Sequence, residues 1–172
     1  MNKKKLNYRV TYLEMNRKPS FDWPKNLKHK LSILLAESFP AWYFLFFYKQ
    51  VGKNYYWTDW LRKSEGEIAE FVNDKNVLLY TLIKDGWPVG FYMLDYRKKD
   101  ICDLSFFGLV EEVIGIGLGK YLLQTAILTA WDSKKIKKLT VNTCSLDHKS
   151  AIYLYQKYGF TPVKYKDLEK IV

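Results

Sequence analysis

The stretch Gly115-Ile116-Gly117-Leu118-Gly119-Lys120 decides how this chain is read. Three glycines at alternate positions follow a strand-like run and open an apolar, helix-like run. Glycine admits positive φ and lets backbone N–H groups approach a ligand with no Cβ in the way. A helix start adds unpaired N–H donors and a partial positive charge. Together these features make a phosphate site, with Lys120 as a cation at its rim. A tight strand-to-helix turn with close packing would use the same glycines. Two other phosphate motifs fail here. A P-loop needs glycine where Ile114 stands and Ser or Thr where Tyr121 stands. A dinucleotide fingerprint needs its third glycine at Lys120 or Leu122.

Residues 101–110 form the strand that leads into the loop, and 118–131 form the helix that leaves it. That helix is apolar nearly all round, which predicts burial on several sides. Residues 76–83 and 89–96 are strands joined by the hairpin signal Asp85-Gly86. Residues 138–144 are a strand. Residues 149–158 are a helix with Ala151, Leu154, Tyr155 and Tyr158 on one face, and Gly159 ends it. A last strand runs over 160–166. Upstream, 7–13 alternates weakly as a first strand, and 26–39 reads as a helix stopped before Pro40. Residues 41–50 form a second helix closed by Gly52, and Ser64 caps a short third one. This order predicts a single α/β (α+β) domain over residues 1–172, with a mixed central sheet and helices on both faces.

Composition sets the outer bounds. Hydrophobic residues make up 48% and charged residues 27% of the 172, as in a globular domain with a real core. Aromatics reach 17%, enough for core and for a pocket lining. The net charge of +10 favours anionic partners. No nucleic-acid motif accompanies it, and no apolar run is long enough to cross a bilayer. The first residues lack the apolar segment of a signal peptide, which points to the cytoplasm. Cys102 and Cys144 each sit in an apolar strand-like run, as buried thiols do. No Cys/His spacing suits a metal.

The loop and a second block, Ala151-Ile152-Tyr153-Leu154-Tyr155-Gln156-Lys157-Tyr158-Gly159-Phe160, together resemble the GNAT superfamily of N-acetyltransferases. The loop aligns with that family's Q/R-x-x-G-x-G/A signature from Ile114 to Gly119. The second block is similar to its A-I-x-L-Y-x-K-x-G-F ending. The resemblance covers roughly residues 77 to 166. It implies acetyl-CoA as acetyl donor, a primary amine as acceptor, direct attack in a ternary complex, and a homodimer as a common assembly. A non-catalytic acyl-CoA-binding or sensing module on the same fold is the alternative. Two departures motivate that alternative. Ile114 stands where the signature has Gln or Arg, so backbone amides and Lys120 would carry more of the pyrophosphate. His148 stands where an Asn usually contacts the pantetheine arm.

The same resemblance assigns roles. Phe107, Gly108 and Leu109 match the backbone edge that pairs with the pantetheine arm. Gly115 to Lys120, with Ile116, Gly117, Leu118 and Gly119 between, would hold the pyrophosphate. Tyr155 matches the general acid that protonates the departing thiolate, although its apolar helix face equally suits a core tyrosine. Asp103 is the first expectation for the base. Asp95, the pair Glu111-Glu112 and a water chain are alternatives. Asp147 reads as the N-cap of the last helix. Tyr55, Trp57 and Trp60 belong to the densest aromatic cluster outside the core runs. They form either the amine-acceptor pocket or an anchor for the helix after Ser64.

Overall fold

The computed structural model describes residues 5–25 and 29–171. Its seven-stranded sheet contains β1 (Lys5–Met15), β2 (Leu31–Ala36), β3 (Val77–Lys84), β4 (Trp87–Asp95), β5 (Ile101–Leu109), β6 (Lys138–Cys144) and β7 (Thr161–Ile171). The helices are α1 (Ala41–Gly52), α2 (Glu65–Val72), α3 (Leu118–Ser133) and α4 (Ala151–Lys157). The spatial order is β2-β3-β4-β5-β6-β1-β7. All neighbours are antiparallel except β5 and β6, which are parallel. The α3 crossover between them supplies the connection that a parallel pair needs.

Strand alternation sorts the core onto two faces. Tyr92 and Leu94 of β4 join Leu122, Leu123, Ala126 and Ile127 of α3 on one face. Phe91 and Met93 join Phe44 and Phe47 of α1 and Ile68 of α2 on the other. Side chains two apart on a strand share a face, yet Leu104 packs with the α3 side and Phe106 with the α1 side. A bulge explains the reversal. Met93 pairs with Phe106 while Leu94 pairs with Leu104, which leaves Ser105 as an extra residue in β5.

Residues 31–36 correct the helix expected over 26–39. They pair antiparallel with β3, Leu31 opposite Lys84 through Ala36 opposite Leu79, and form the edge strand. The Leu- and Ala-rich run has helical propensity, but an unfilled edge of β3 offers a ladder that propensity cannot match. Residues 26–28 of that expectation lie outside the described residues. The strand expected over 160–166 runs on to Ile171, because β1 pairs with it along its whole length.

Ser64 caps α2 as expected, through a capping box. Its Oγ accepts from Glu67 N at 3.3 Å, and Glu67 Oε2 accepts from Ser64 N at 2.9 Å. Ser64→Ala is expected to lower stability by about 1 kcal/mol. A thermal melt should fall by about 2–4 °C in a chain of this size; an unchanged melt would show the box to be idle. Among the described residues, no helix is long and apolar enough to cross a membrane.

Candidate active site

β5 and β6 are hydrogen-bonded only at their first residues. The parallel register covers Ile101 to Asp103 opposite Lys138 to Thr140 and stops there. β6 continues to Cys144 in register with β1, and β5 continues to Leu109 in register with β4. The two strands therefore part just after Asp103, next to the Ser105 bulge that bends β5. A cavity of about 740 Å³ fills the gap. That volume suits an organic ligand of substantial size.

One wall is a free strand edge. Val110 N donates to Val89 O at 2.9 Å. Alternation then turns the polar groups of Gly108 toward β4, and those of Phe107 and Leu109 toward the cavity. Gly108 meets a different demand. A Cβ there would lie 2.3 Å from Val51 Cγ1, so the close approach of α1 to β5 requires glycine. Of the three expected backbone partners, Phe107 and Leu109 thus present the hydrogen-bonding edge, and Gly108 lets α1 pack behind it.

The glycine loop forms the cavity's end. Gly115 and Gly117 both have positive φ, 90° and 88°, which other residues rarely adopt. Gly117 is the N-cap residue of α3. Among the described residues, no backbone acceptor bonds the N–H groups from Gly115 to Lys120; the series resumes with Tyr121 N to Gly117 O at 3.5 Å. Six consecutive donors at a helix start, on a loop that faces a cavity, fit a diphosphate. Gly115, Gly117 and Gly119 line the large cavity. Ile116, Leu118 and Lys120 instead line a smaller adjoining hollow of about 190 Å³, with Lys25 and His29. Gly117 borders both.

Tyr155 lines the cavity from α4 and is 5% exposed. Its ring stands edge-on to Phe107, with centroids 6.1 Å apart. No described residue bonds its hydroxyl. Burial pushes this phenol well above its ordinary value, and the charges of Asp147 and Asp103 push the same way. His148 also lines the cavity; its Nδ1 accepts from Ser150 N at 3.2 Å, which leaves Nε2 as the donor in the neutral ring. Tyr55 crosses it edge-on.

Asp147 is not the N-cap of α4; Ser150 holds that position. Its carboxylate instead accepts from Cys144 N, Thr143 Oγ1 and Trp57 Nε1, at 2.8, 2.8 and 3.0 Å. It ties the end of β6 to the 53–60 segment and so holds one side of the cavity shut. Trp57 and Trp60 line the cavity and also contact Phe106, at 6.1 and 5.8 Å between centroids. Trp60 packs at a tilt on Phe71 of α2, with centroids 4.6 Å apart, so the anchoring role and the lining role coexist.

Asp103 is the expected site residue that the geometry favours least. It does not line the cavity. Its carboxylate accepts from Ser105 Oγ at 2.8 Å and Thr140 Oγ1 at 2.5 Å, across the point where the strands part. Asp95 is paired with Arg97, and Glu111 with Asn54 and Lys53. Asp103→Asn is expected to change turnover less than about tenfold, since a hydroxyl can rotate to suit an amide. A loss of the 10²–10⁴-fold size typical of a lost base would restore it as the base.

Three lining residues carry no local signal in the sequence: Tyr8 of β1, Asp59, and Lys170 near the end of β7. They meet only because β1 is inserted between β6 and β7.

Comparison with known proteins agrees with this geometry. The acetyltransferase (GNAT) family model matches residues 34–160. A GCN5-related N-acetyltransferase from Kribbella flavida superimposes with a TM-score of 0.63 at 14% identity, over 95% of this chain and 57% of that one. A GNAT acetyltransferase from Elizabethkingia anophelis with acetyl-CoA bound gives 0.57 at 23% identity, over 78% of each chain. An IAA acetyltransferase from Bacillus cereus gives 0.55 at 21% identity, over 82% of this chain and all of that one. A Staphylococcus epidermidis protein of unknown function gives 0.64 at 14% identity, and this chain spans only 62% of its length. No curated protein sequence matches. The match over residues 34–160, on a fold with this parted sheet and glycine loop, places the chain in the GNAT acetyltransferase family.

Proposed function

We propose that this protein transfers an acetyl group from acetyl-CoA to a primary amine, by direct attack within a ternary complex. One observation carries the reading. A free strand edge at Phe107 and Leu109, the loop glycines Gly115, Gly117 and Gly119 with N–H groups that no described backbone acceptor bonds, and the Tyr155 phenol all border one gap in the sheet. Acetyl-CoA supplies an activated acyl group on a thiolate that can leave. The chain's own residues do the rest. The outward N–H and C=O groups of β5 bind an extended amide arm as a further strand would. The loop amides and the start of α3 hold the diphosphate. Because Ile114 replaces a long polar side chain, that grip is made by backbone groups, with Lys120 on the far side of the loop. Donors on the β5 edge that point at the acyl oxygen stabilise charge as it develops there. Positioning the amine against the acyl carbon supplies much of the acceleration. Tyr155 stays protonated through neutral pH and can give its proton to sulfur as the C–S bond breaks; the proton shed by the attacking nitrogen passes to water, and water returns one to the phenol.

The test has two stages. Acetyl-CoA at saturation should raise the melting temperature, because it binds only the folded chain. An amine panel should then release free CoA thiol above the rate without amine. Binding without transfer to any amine would favour the sensing-module alternative. No melting shift would sink both readings.

A further inference from the structure

Lys170 is a charged group that the transfer reading leaves without a task. Among the described residues it is the only Lys or Arg that lines the large cavity. Its side chain is nine-tenths buried, at 10% exposure. Its Nζ donates to Tyr56 O at 2.8 Å and to Asp59 Oδ2 at 3.0 Å. An ammonium has three donors, so one is left without a partner among the described residues.

Tyr48 provides a second donor close by. Its hydroxyl oxygen accepts from Trp60 N at 3.3 Å. With its oxygen so engaged, the O–H is left to donate into the cavity it lines. Tyr8 adds a third donor, the hydroxyl of a β1 side chain. The aromatic faces of Tyr56 and Trp57 complete this end.

Two charges of opposite sign meet here, and their surroundings decide which one a ligand feels. The two are paired with each other, but Asp59 is 70% exposed, so water and salt screen it. Lys170 is buried, where the effective dielectric is lower and a charge acts with less screening. The +10 net charge of the chain works in the same direction on arriving ligands.

We infer that the acceptor is a primary amine whose body also carries a carboxylate, bound by Lys170 and Tyr48, with an apolar or aromatic portion against Tyr56 and Trp57. This rests on the acetyltransferase reading above. Lys170 and Tyr8 lie outside residues 34–160, so the charged part of this specificity comes from a strand beyond the part that matches the family.

Matched acceptor pairs test it on the intact protein: phenylalanine against phenethylamine, and tryptophan against tryptamine, with acetyl-CoA saturating. The carboxylate-bearing member should have kcat/KM at least about tenfold higher, the size of one charge-assisted hydrogen bond. Lys170→Met should collapse that ratio toward one through a raised KM for the amino acid. Its acetyl-CoA-induced melting rise should persist, which shows a folded chain. Tyr48→Phe should lower the ratio part of the way. Equal or better use of the decarboxylated members by the wild type would overturn the inference while leaving transfer to amines intact. Preference for a diamine such as cadaverine would overturn it in favour of Asp59 as the recognising charge. If nothing is acetylated, calorimetry on the CoA complex separates the two claims. Amino-acid binding that is lost in Lys170→Met would keep the subsite and end the transferase reading. No binding by either member of a pair would end both.

Discussion

Gly117→Val is expected to abolish the rise in melting temperature that acetyl-CoA should give the wild type. The expectation follows from the backbone. Gly117 sits at φ 88° and ψ −2°, at the N-cap of α3. A β-branched residue at positive φ is a steric outlier, at a cost of roughly 1–2 kcal/mol. The space around a Cβ is open here, so conformation, not crowding, excludes valine. If the loop relaxes to negative φ, its N–H groups reorient and the arrangement at the start of α3 is lost. At a ligand concentration about 100 times Kd, the wild type gains about 2.7 kcal/mol, or roughly 5–10 °C. The variant should start a few degrees lower and gain less than about 1 °C. Gly66→Ala is the matched control. Gly66 lies in α2, and a methyl added there meets only open space. In a helix, alanine is favoured over glycine, so this change should hold or raise stability and keep the full shift. A normal acetyl-CoA shift in Gly117→Val would remove the loop from cofactor binding.

Features encoded within a few residues of each other are legible in the sequence. The Asp85-Gly86 turn, the 138–144 strand, α3 and the Ser64 cap all rest on local periodicity or on a local side-chain bond, and each appears as expected. The loop's positive φ values follow in the same way from glycine placement. What local pattern misses is long-range. Residues 31–36 are a strand because β3 has an edge to fill. The alternation over 7–13 predicts a strand, yet nothing within it says that β1 pairs with both β6 and β7. That insertion brings Tyr8 and Lys170 to one cavity, although they lie at opposite ends of the chain. Asp147 shows a third kind of miss. Its position before α4 resembles a cap, but its donors come from β6 and from Trp57, 90 residues away. The parting of β5 from β6 is foreseeable only through resemblance. Its local cause, the extra Ser105, is invisible without the register of β4.

Tyr155→Phe should lower kcat by about 10²–10³-fold while acetyl-CoA binds nearly as before. The split follows from where the ring and the oxygen sit. The ring packs edge-on against Phe107 and against Phe160, with centroids 6.1 and 5.8 Å apart. Phenylalanine keeps those contacts, so the cavity wall and the fold are retained. The hydroxyl has no hydrogen-bond partner among the described residues, so its removal leaves no buried donor or acceptor orphaned. A merely structural tyrosine should therefore tolerate the change with a small shift in melting temperature and unchanged turnover. A general acid should not. The pH dependence adds a second, independent readout. Burial and the neighbouring carboxylates disfavour the phenolate, so the neutral form persists above the ordinary tyrosine value of about 10. The active form of this group is the protonated one. Turnover of the wild type should therefore show no alkaline fall owed to Tyr155 between about pH 8 and pH 10. The amine loses its own proton over that range, which should make the rate rise with pH until that ionisation is complete. A fall in kcat that begins near pH 8 and disappears in Tyr155→Phe would mean that the phenol ionises early and that burial does not govern it. Unchanged turnover in Tyr155→Phe would take the residue out of the chemistry and leave it as part of the wall.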